Sequence, residues 1–392
     1  MEDLGHRRLW RHDAPEEADA TDAIRILQLT DLHHFPAGCT EFDVRAEKGR
    51  VVPIVPGSRY SIQGDVAVIA SILARVRPHL VILTGDIIDA RPFGAIGGQP
   101  DPSGWRRALL EVLAPITAAG CAWTYVPGNH DDDGGPWTRE DLLGIYRLGA
   151  DAPGCISEGA ANFNHTLSVG FSPSPSPSSL RLWLFDSGGN HEDPTLRYHT
   201  FDPFAVEAYK QISSSHEPAA CELAYFHIPL PQAAGLVPVV GQSRLFDAAL
   251  HAGMVPLPWR WQPFTTLVRL LGKDRIVGAS KLESGLFDAF VDLGRVRACF
   301  FGHDHINDAV YLRNGLYMAY GRVGGTTPPI DWEGDAGLLP FEVGARVVEW
   351  DPLAQSTSGT GAGLAGKLST WVELAARRED GSDLVMDGQV PS

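Results

Sequence analysis

No apolar run in the 392-residue chain approaches the roughly 18 residues that a membrane-spanning helix needs. The opening stretch, MEDLGHRRLWRHDAPEEADA, has none of the apolar core of a secretory signal, and a cytoplasmic location is the expectation. Cysteine is scarce. The five residues Cys39, Cys121, Cys155, Cys221 and Cys299 form no C-x-x-C pair, which points to free, buried thiols in a reducing compartment. Positive charge is short as well: 32 Lys+Arg stand against 48 Asp+Glu, a net charge of −16. So acidic a chain argues against nucleic acid and anionic membrane as partners. An anionic substrate would need bound cations to overcome that field. No internal repeat is found. What is present is an ordinary globular composition, 44% hydrophobic and 20% charged, at a length that allows one large α/β domain or two smaller ones.

The apolar segments alternate in kind. AIRILQLT (23–30), HLVILTG (79–85) and CAWTYVPGN (121–129) are short continuous apolar runs, the pattern of buried strands. Between them, GDVAVIASILARVR (64–77) and SGWRRALLEVLAPITAAG (103–120) have helical spacing, the second with Ser103 as cap and Gly120 as stop. This order predicts a mostly parallel sheet covered by helices. NHTLSVGF (164–171) and SLRLWLFD (179–186) read as a hairpin, 203–215 as a helix, and CELAYFHIP (221–229) as another buried strand. RVRACFFG, DAVYLRNG, LYMAYGR and ARVVEWD follow as short strands, with a turn at Asn314-Gly315. Residues 1–22 are expected to be a loose lead-in and 23–352 the folded domain. Residues 353–392 read as a Gly/Ser/Thr-rich tail with a short helical stretch and no assigned function.

Polar residues recur at one structural place, the carboxyl end of a buried strand. They are Asp31 and His33, Asp86 and Asp89 after Gly85, then Asn129, His130 and Asp131 after Gly128. His227 follows Phe226, and His303 and His305 stand within FFGHDHIND (300–308). In open α/β sheets these ends line the ligand crevice. His303 and His305 are two apart, so an extended segment turns both to one side, and convergent imidazoles make a metal site. Singly, each motif has a structural reading: a cap, a βα turn, or, for His227, a core histidine. Five together do not. His34 and Arg59 read as solvated residues rather than further contacts.

In this order, D-x-H, GD-x-x-D, GNHD, a lone His and GH-x-H resemble the calcineurin-like metallophosphoesterases, from Ile24 to Asp351. Phe226-His227-Ile228-Pro229, Asp186-Ser187-Gly188 and Gly302-His303-Asp304-His305-Ile306-Asn307-Asp308 are similar to the purple-acid-phosphatase-like group within them. The resemblance implies a sandwich of two mixed β-sheets flanked by α-helices, four layers in all. It implies two transition-metal ions, divalent or trivalent (Mn, Fe or Zn). Asp31, His33 and His305 would hold one, Asn129, His227 and His303 the other, and Asp86 would bridge. His130, oriented by Asp89, would face the phosphate without being a ligand. One departure stands out. The purple enzymes place a tyrosine ligand where this chain has Asp89, and no purple colour is expected.

Two such ions, roughly 3.5–4 Å apart, can stabilise both the attacking and the leaving oxygen of an in-line displacement, with a bridging hydroxide as nucleophile. His130 can protonate the leaving oxygen. The expected function is hydrolysis of phosphate monoesters, small molecules or phosphoproteins, with no nucleic-acid or membrane partner. A phosphodiesterase acting on nucleotides or lipid head groups, or a non-catalytic scaffold with this fold, are the alternatives. The stretch 230–285, with Trp259, Trp261, Arg260, Arg269, Lys273, Arg275 and Lys281, joins two strands whose ends would both hold the second metal. It is expected either to fold over the cleft as a lid carrying positive charge, or to plug the core with its aromatic residues and leave the basic ones solvated.

Overall fold

The computed structural model describes residues 5–10, 23–34, 41–45, 50–53, 62–89, 102–132, 138–157, 162–170, 179–234, 236, 239–240, 277–305, 307–325, 343–354, 366–379 and 382–386. Two mixed sheets dominate. The seven-stranded sheet has the order β1-β7-β8-β9-β10-β12-β11. Its strands are β1 (Gly5–Trp10), β7 (His165–Gly170), β8 (Leu180–Leu184), β9 (Cys221–Tyr225), β10 (Val296–Phe301), β11 (Val310–Arg313) and β12 (Leu316–Tyr320). The six-stranded sheet has the order β15-β14-β13-β2-β5-β6. It comprises β2 (Ile24–Leu29), β5 (Leu80–Thr84), β6 (Ala122–Val126), β13 (Gly344–Asp351), β14 (Lys367–Leu374) and β15 (Leu384–Val385). β3 (Glu41–Arg45) and β4 (Arg50–Pro53) form a separate antiparallel hairpin.

The continuous apolar runs have a simple cause: successive side chains of each central strand enter different cores. Ile24, Ile26, Leu80 and Ile82 point between the sheets, against Leu182, Leu184, Leu223, Tyr225 and Phe300. The alternate residues Leu27, Leu29, Val81 and Leu83 point outward, to Ile69 and Ile72 of helix Ile62–Val76 and to Trp105, Leu109 and Val112 of helix Pro102–Ala118. On the far side, Trp183, Phe185, Phe226 and Phe301 meet Val206 and Tyr209 of helix Pro203–Ser215 and Leu286 and Phe290 of helix Leu286–Leu293. The result is helix, sheet, sheet, helix.

β2, β5 and β6 are mutually parallel, as are β8, β9, β10 and β12. Buried Gln28 ties the two sheets near their carboxyl ends, donating to Thr84 Oγ1 at 2.9 Å and to the Phe301 carbonyl at 3.2 Å. Asn314 and Gly315, with φ of 52° and 82°, make the expected turn between β11 and β12. Two segments differ from their sequence reading. Gly5–Trp10, within the lead-in, pairs in parallel with β7. The helical stretch read in the tail is the strand β14, paired along its length with β13; Leu368, Thr370, Val372 and Leu374 alternate toward the interior, as a strand requires.

Candidate metal centre

Five strand ends deliver the candidate residues to one cleft. Asp31 and His33 follow β2, Asp86 and Asp89 follow β5, and Asn129 and His130 follow β6, all on the six-stranded sheet. His227 follows β9, and His303 and His305 follow β10, on the other sheet. The turns that aim them are strained. Asp31, His33, Asp86 and His303 have φ of 53°, 46°, 50° and 78°, a left-handed backbone that costs an L-residue about 1–2 kcal/mol. Main-chain bonds hold them there: Asp31 N–H donates to the Gly85 carbonyl at 3.1 Å and His33 N–H to that of Asp86 at 2.9 Å. Gly302 is required by close approach, since a Cβ there would sit 1.9 Å from Thr30 Oγ1 and 2.5 Å from Asp31 Oδ2.

The side chains form two clusters sharing Asp86: Asp31, His33, Asp86 and His305, and Asp86, His227 and His303. Asp86 Oδ2 lies 3.6 Å from His33 Nε2 and 3.1 Å from His227 Nε2. Its other oxygen accepts the His130 main-chain N–H at 2.8 Å. His305 Nε2 stands 3.0 Å from His33 Nε2 and 3.5 Å from Asp31 Oδ1. The His130 ring, half-buried at the mouth, lies 5.3 Å from that of His33.

Neighbouring groups fix the ring orientations. His227 Nδ1 meets the Thr84 carbonyl at 2.8 Å, and His33 Nδ1 meets Asp89 Oδ2 at 3.0 Å. A carbonyl or carboxylate at Nδ1 places a proton there and aims Nε2 at the cleft. Burial would lower the His227 imidazole, but Asp86 at its Nε2 raises it to about 9, and a cation bound at that nitrogen would displace the second proton. Among the buried side-chain atoms with no geometrically sound hydrogen bond, four converge here, Asp86 Oδ2, Asn129 Oδ1, His227 Nε2 and His303 Nδ1, the first and third facing each other at 3.1 Å. They belong to the four residues expected to hold the second metal. Buried polar atoms are normally satisfied, so four convergent exceptions fit a cation.

Electrostatics agrees. Burial, and next the His227 charge, hold His303 well below the usual imidazole range; burial and His33 do the same for His305. Both are then neutral and able to ligate. Burial alone would raise Asp86, but His227, His130 and His33 outweigh it and keep it ionised. Burial is the largest influence on Asp31 and raises it. Carboxylates packed this closely in low dielectric need a counter-cation.

Comparison with known proteins settles the ancestry. The model of the family described as calcineurin-like phosphoesterase matches residues 24–307, a span that contains every candidate residue. The chain belongs to the calcineurin-like phosphoesterase family. Within it, the phosphoesterase is similar to purple-acid-phosphatase-like members. It is 26% identical over 393 residues to "Probable inactive purple acid phosphatase 29" of Arabidopsis thaliana, covering 93% of this chain and 85% of the relative. It is 24% identical over 335 residues to "Phosphatase DCR2" of Saccharomyces cerevisiae, covering 81% of this chain and 50% of that protein's length. Among solved structures, a dimetal phosphatase from Danio rerio superposes with a TM-score of 0.51 at 16% identity, covering 93% of this chain and 98% of that one. At that identity the likeness carries the fold alone.

Some placements in this phosphoesterase differ from the sequence reading. Asp89, expected from the resemblance to orient His130, has its Oδ2 3.0 Å from His33 Nδ1, its strand end being bridged to that of β2 through His34 and Ile88. His34 is not solvated: it is buried, and its Nε2 contacts Glu111 Oε2 at 2.9 Å. Arg59, Cys39 and the greater part of the expected lid, including Trp259, Arg260, Trp261, Arg269, Lys273 and Arg275, lie outside the described residues. Cys121, Cys155, Cys221 and Cys299 are free thiols. Among the described residues no helix is long and apolar enough to cross a membrane.

Two residues behind the centre have no role in the sequence reading. Asp131 is fully buried and accepts four main-chain N–H groups, from Asp86, Ile87, Ile88 and Gly128, at 2.7 to 3.1 Å. It thereby locks the Asp86 and Asn129 turns together. Asn190 accepts from Asn129 Nδ2 at 3.3 Å, which leaves the Asn129 oxygen for the cleft. Asp131 stands within GNHD, but nothing in that motif marks an aspartate buried behind the turns, and no motif marks Asn190.

Proposed function

We propose that the chain is a dinuclear-metal phosphatase that hydrolyses phosphate monoesters. The observation that carries this reading is the pair of ligand clusters sharing Asp86, with four buried donor atoms left without partners. Asp31, His33, Asp86 and His305 would hold one cation, and Asp86, Asn129, His227 and His303 the other. Bound there, two transition-metal ions supply Lewis-acid charge for phosphoryl transfer and lower the pKa of water; oxygen and imidazole donors without thiolate suit Mn, Fe or Zn.

The chain's own groups do the rest. Asp89 and the Thr84 carbonyl orient His33 and His227. Asp131 holds the Asp86 and Asn129 turns. His130, its main chain tied to Asp86 and its imidazole at the mouth, donates a proton to the departing oxygen. Membership of the calcineurin-like phosphoesterase family supports the reading. The Arabidopsis relative bears "inactive" in its name; against inactivity here stand all seven candidate ligands and His130. The test is hydrolysis of mono- and bis-p-nitrophenyl phosphate by protein loaded with Mn²⁺, Fe²⁺ or Zn²⁺. Faster turnover of the monoester, abolished by chelation, is expected. Preference for the diester would make the chain a phosphodiesterase, and no turnover of either with full metal content would make it a scaffold.

A further inference from the structure

A second group of metal-binding side chains lies outside the shared-carboxylate cleft. Residues 189–199 fold back as a short ribbon. Asn190 and Tyr198 form an antiparallel bridge, His191 N–H donates to the Arg197 carbonyl at 2.9 Å, and His199 N–H donates to that of Gly189 at 3.0 Å. In such a pairing His191 and His199 share a face, as diagonal neighbours that the strand twist draws together. Their rings are 4.5 Å apart. Gly188, with φ of 79°, leaves the room this requires, because a Cβ there would sit 2.6 Å from the His199 Cβ. Glu192 completes the group: Oε1 is 3.4 Å from His199 Nε2 and Oε2 is 3.7 Å from His191 Nδ1.

We propose that His191, Glu192 and His199 form a third cation site, for a divalent transition metal of the Zn²⁺ class, whose ion staples this ribbon beside the catalytic cleft. Two imidazoles and one carboxylate, with a fourth position for water, are a donor set zinc accepts. Ligands about 2.0–2.2 Å from a tetrahedral ion are about 3.4 Å from one another. The three residues each offer one donor atom, all within 4.8 Å of one another, so small rotations close the site. His191 Nδ1 accepts the Asp193 N–H at 2.9 Å; ligation through that nitrogen would replace the bond, and the exposed Asp193 amide can turn to water. The site lies next to the chemistry. Asn190 holds Asn129, the Tyr198 ring meets His303 edge-on at 4.6 Å, and Asn129, Asn190, Glu192 and His199 all line one cleft of 540 Å³. An ion here would fix the backbone that orients two of the second metal's ligands.

The test is elemental analysis of the full-length chain after equilibrium dialysis against Zn²⁺, with folding checked by circular dichroism. The wild type should hold about three ions per chain, His191→Ala/His199→Ala about two, and Asp86→Asn about one. Glu192→Gln changes an exposed side chain and should also fall to about two ions at limiting zinc, so the test survives if the double variant misfolds. A wild-type ion lost only in the ribbon variants supports this site even if the dinuclear centre fails. The same zinc content in wild type, His191→Ala/His199→Ala and Glu192→Gln overturns it.

Discussion

A single oxygen, Asp86 Oδ2, stands between two sets of imidazoles, and the candidate centre is organised around it. At its mouth, His130 is the one residue of the cleft assigned to proton transfer rather than ligation. His130→Ala should keep its metal while losing roughly 10²–10⁴-fold in turnover. The loss should be smaller for p-nitrophenyl phosphate than for phenyl phosphate, because a better leaving group needs less protonation; equal losses would remove His130 from that role. Asp131 touches no expected ligand atom but accepts four buried N–H groups. Each orphaned donor costs about 1–3 kcal/mol, so Asp131→Ala should lower the thermal midpoint further than any alanine substitution at the cleft surface. Asp131→Asn, keeping one acceptor oxygen, should fall between. At this scale the convergence of the candidate ligands was legible from sequence because each follows an apolar run and the types are those a hard or borderline cation takes. Asp131 was not, because an aspartate after Gly-Asn-His reads the same whether it faces solvent or a nest of amides. The contact of Asp89 with His33 was not legible, because the lateral bridge between His34 and Ile88 leaves no local trace.

Elements were legible where local pattern and burial agreed. The runs at 23–30, 79–85 and 121–129 became β2, β5 and β6 because both faces of each strand are buried. β14 was missed because the basic and acidic residues after it outweighed the alternation of Leu368, Thr370, Val372 and Leu374, and because its partner β13 ends well before it in the sequence, at Asp351. Val372→Asp would bury an unpaired carboxylate at the heart of that pairing and should cost more than about 3 kcal/mol. A tail that merely trailed from the domain would show no change in denaturant midpoint. Helix Arg139–Tyr146 opens with a capping box in which Thr138 and Asp141 exchange hydrogen bonds, and its first residue, Arg139, donates to the Gly128 carbonyl at 2.9 Å. The Thr138 bonds hold Asp141 below the ordinary carboxylate value of 3.8. Its contribution is therefore complete above 3.8 and is lost as pH falls through the lower folded value. The gap in thermal midpoint between wild type and Thr138→Ala should be flat at neutral pH and should narrow only in strong acid. Narrowing already at pH 6 would assign the gap to another group.

At the scale of the molecule, a chain of net charge −16 brings four buried carboxylates, Asp31, Asp86, Asp89 and Asp131, and five imidazoles to the seam between its sheets, where an anionic substrate would otherwise be repelled. Bound cations would reconcile the two facts, as the composition asks for any anionic substrate. The central claim is that Asp86 is shared by two such ions. The most direct measurement compares metal content, by elemental analysis, of wild type and Asp86→Asn prepared side by side with excess Mn²⁺ or Zn²⁺. The variant should hold about two fewer ions per chain and should hydrolyse no monoester. A difference of one ion or none, in a variant that remains folded, would contradict the shared carboxylate and the dinuclear centre with it.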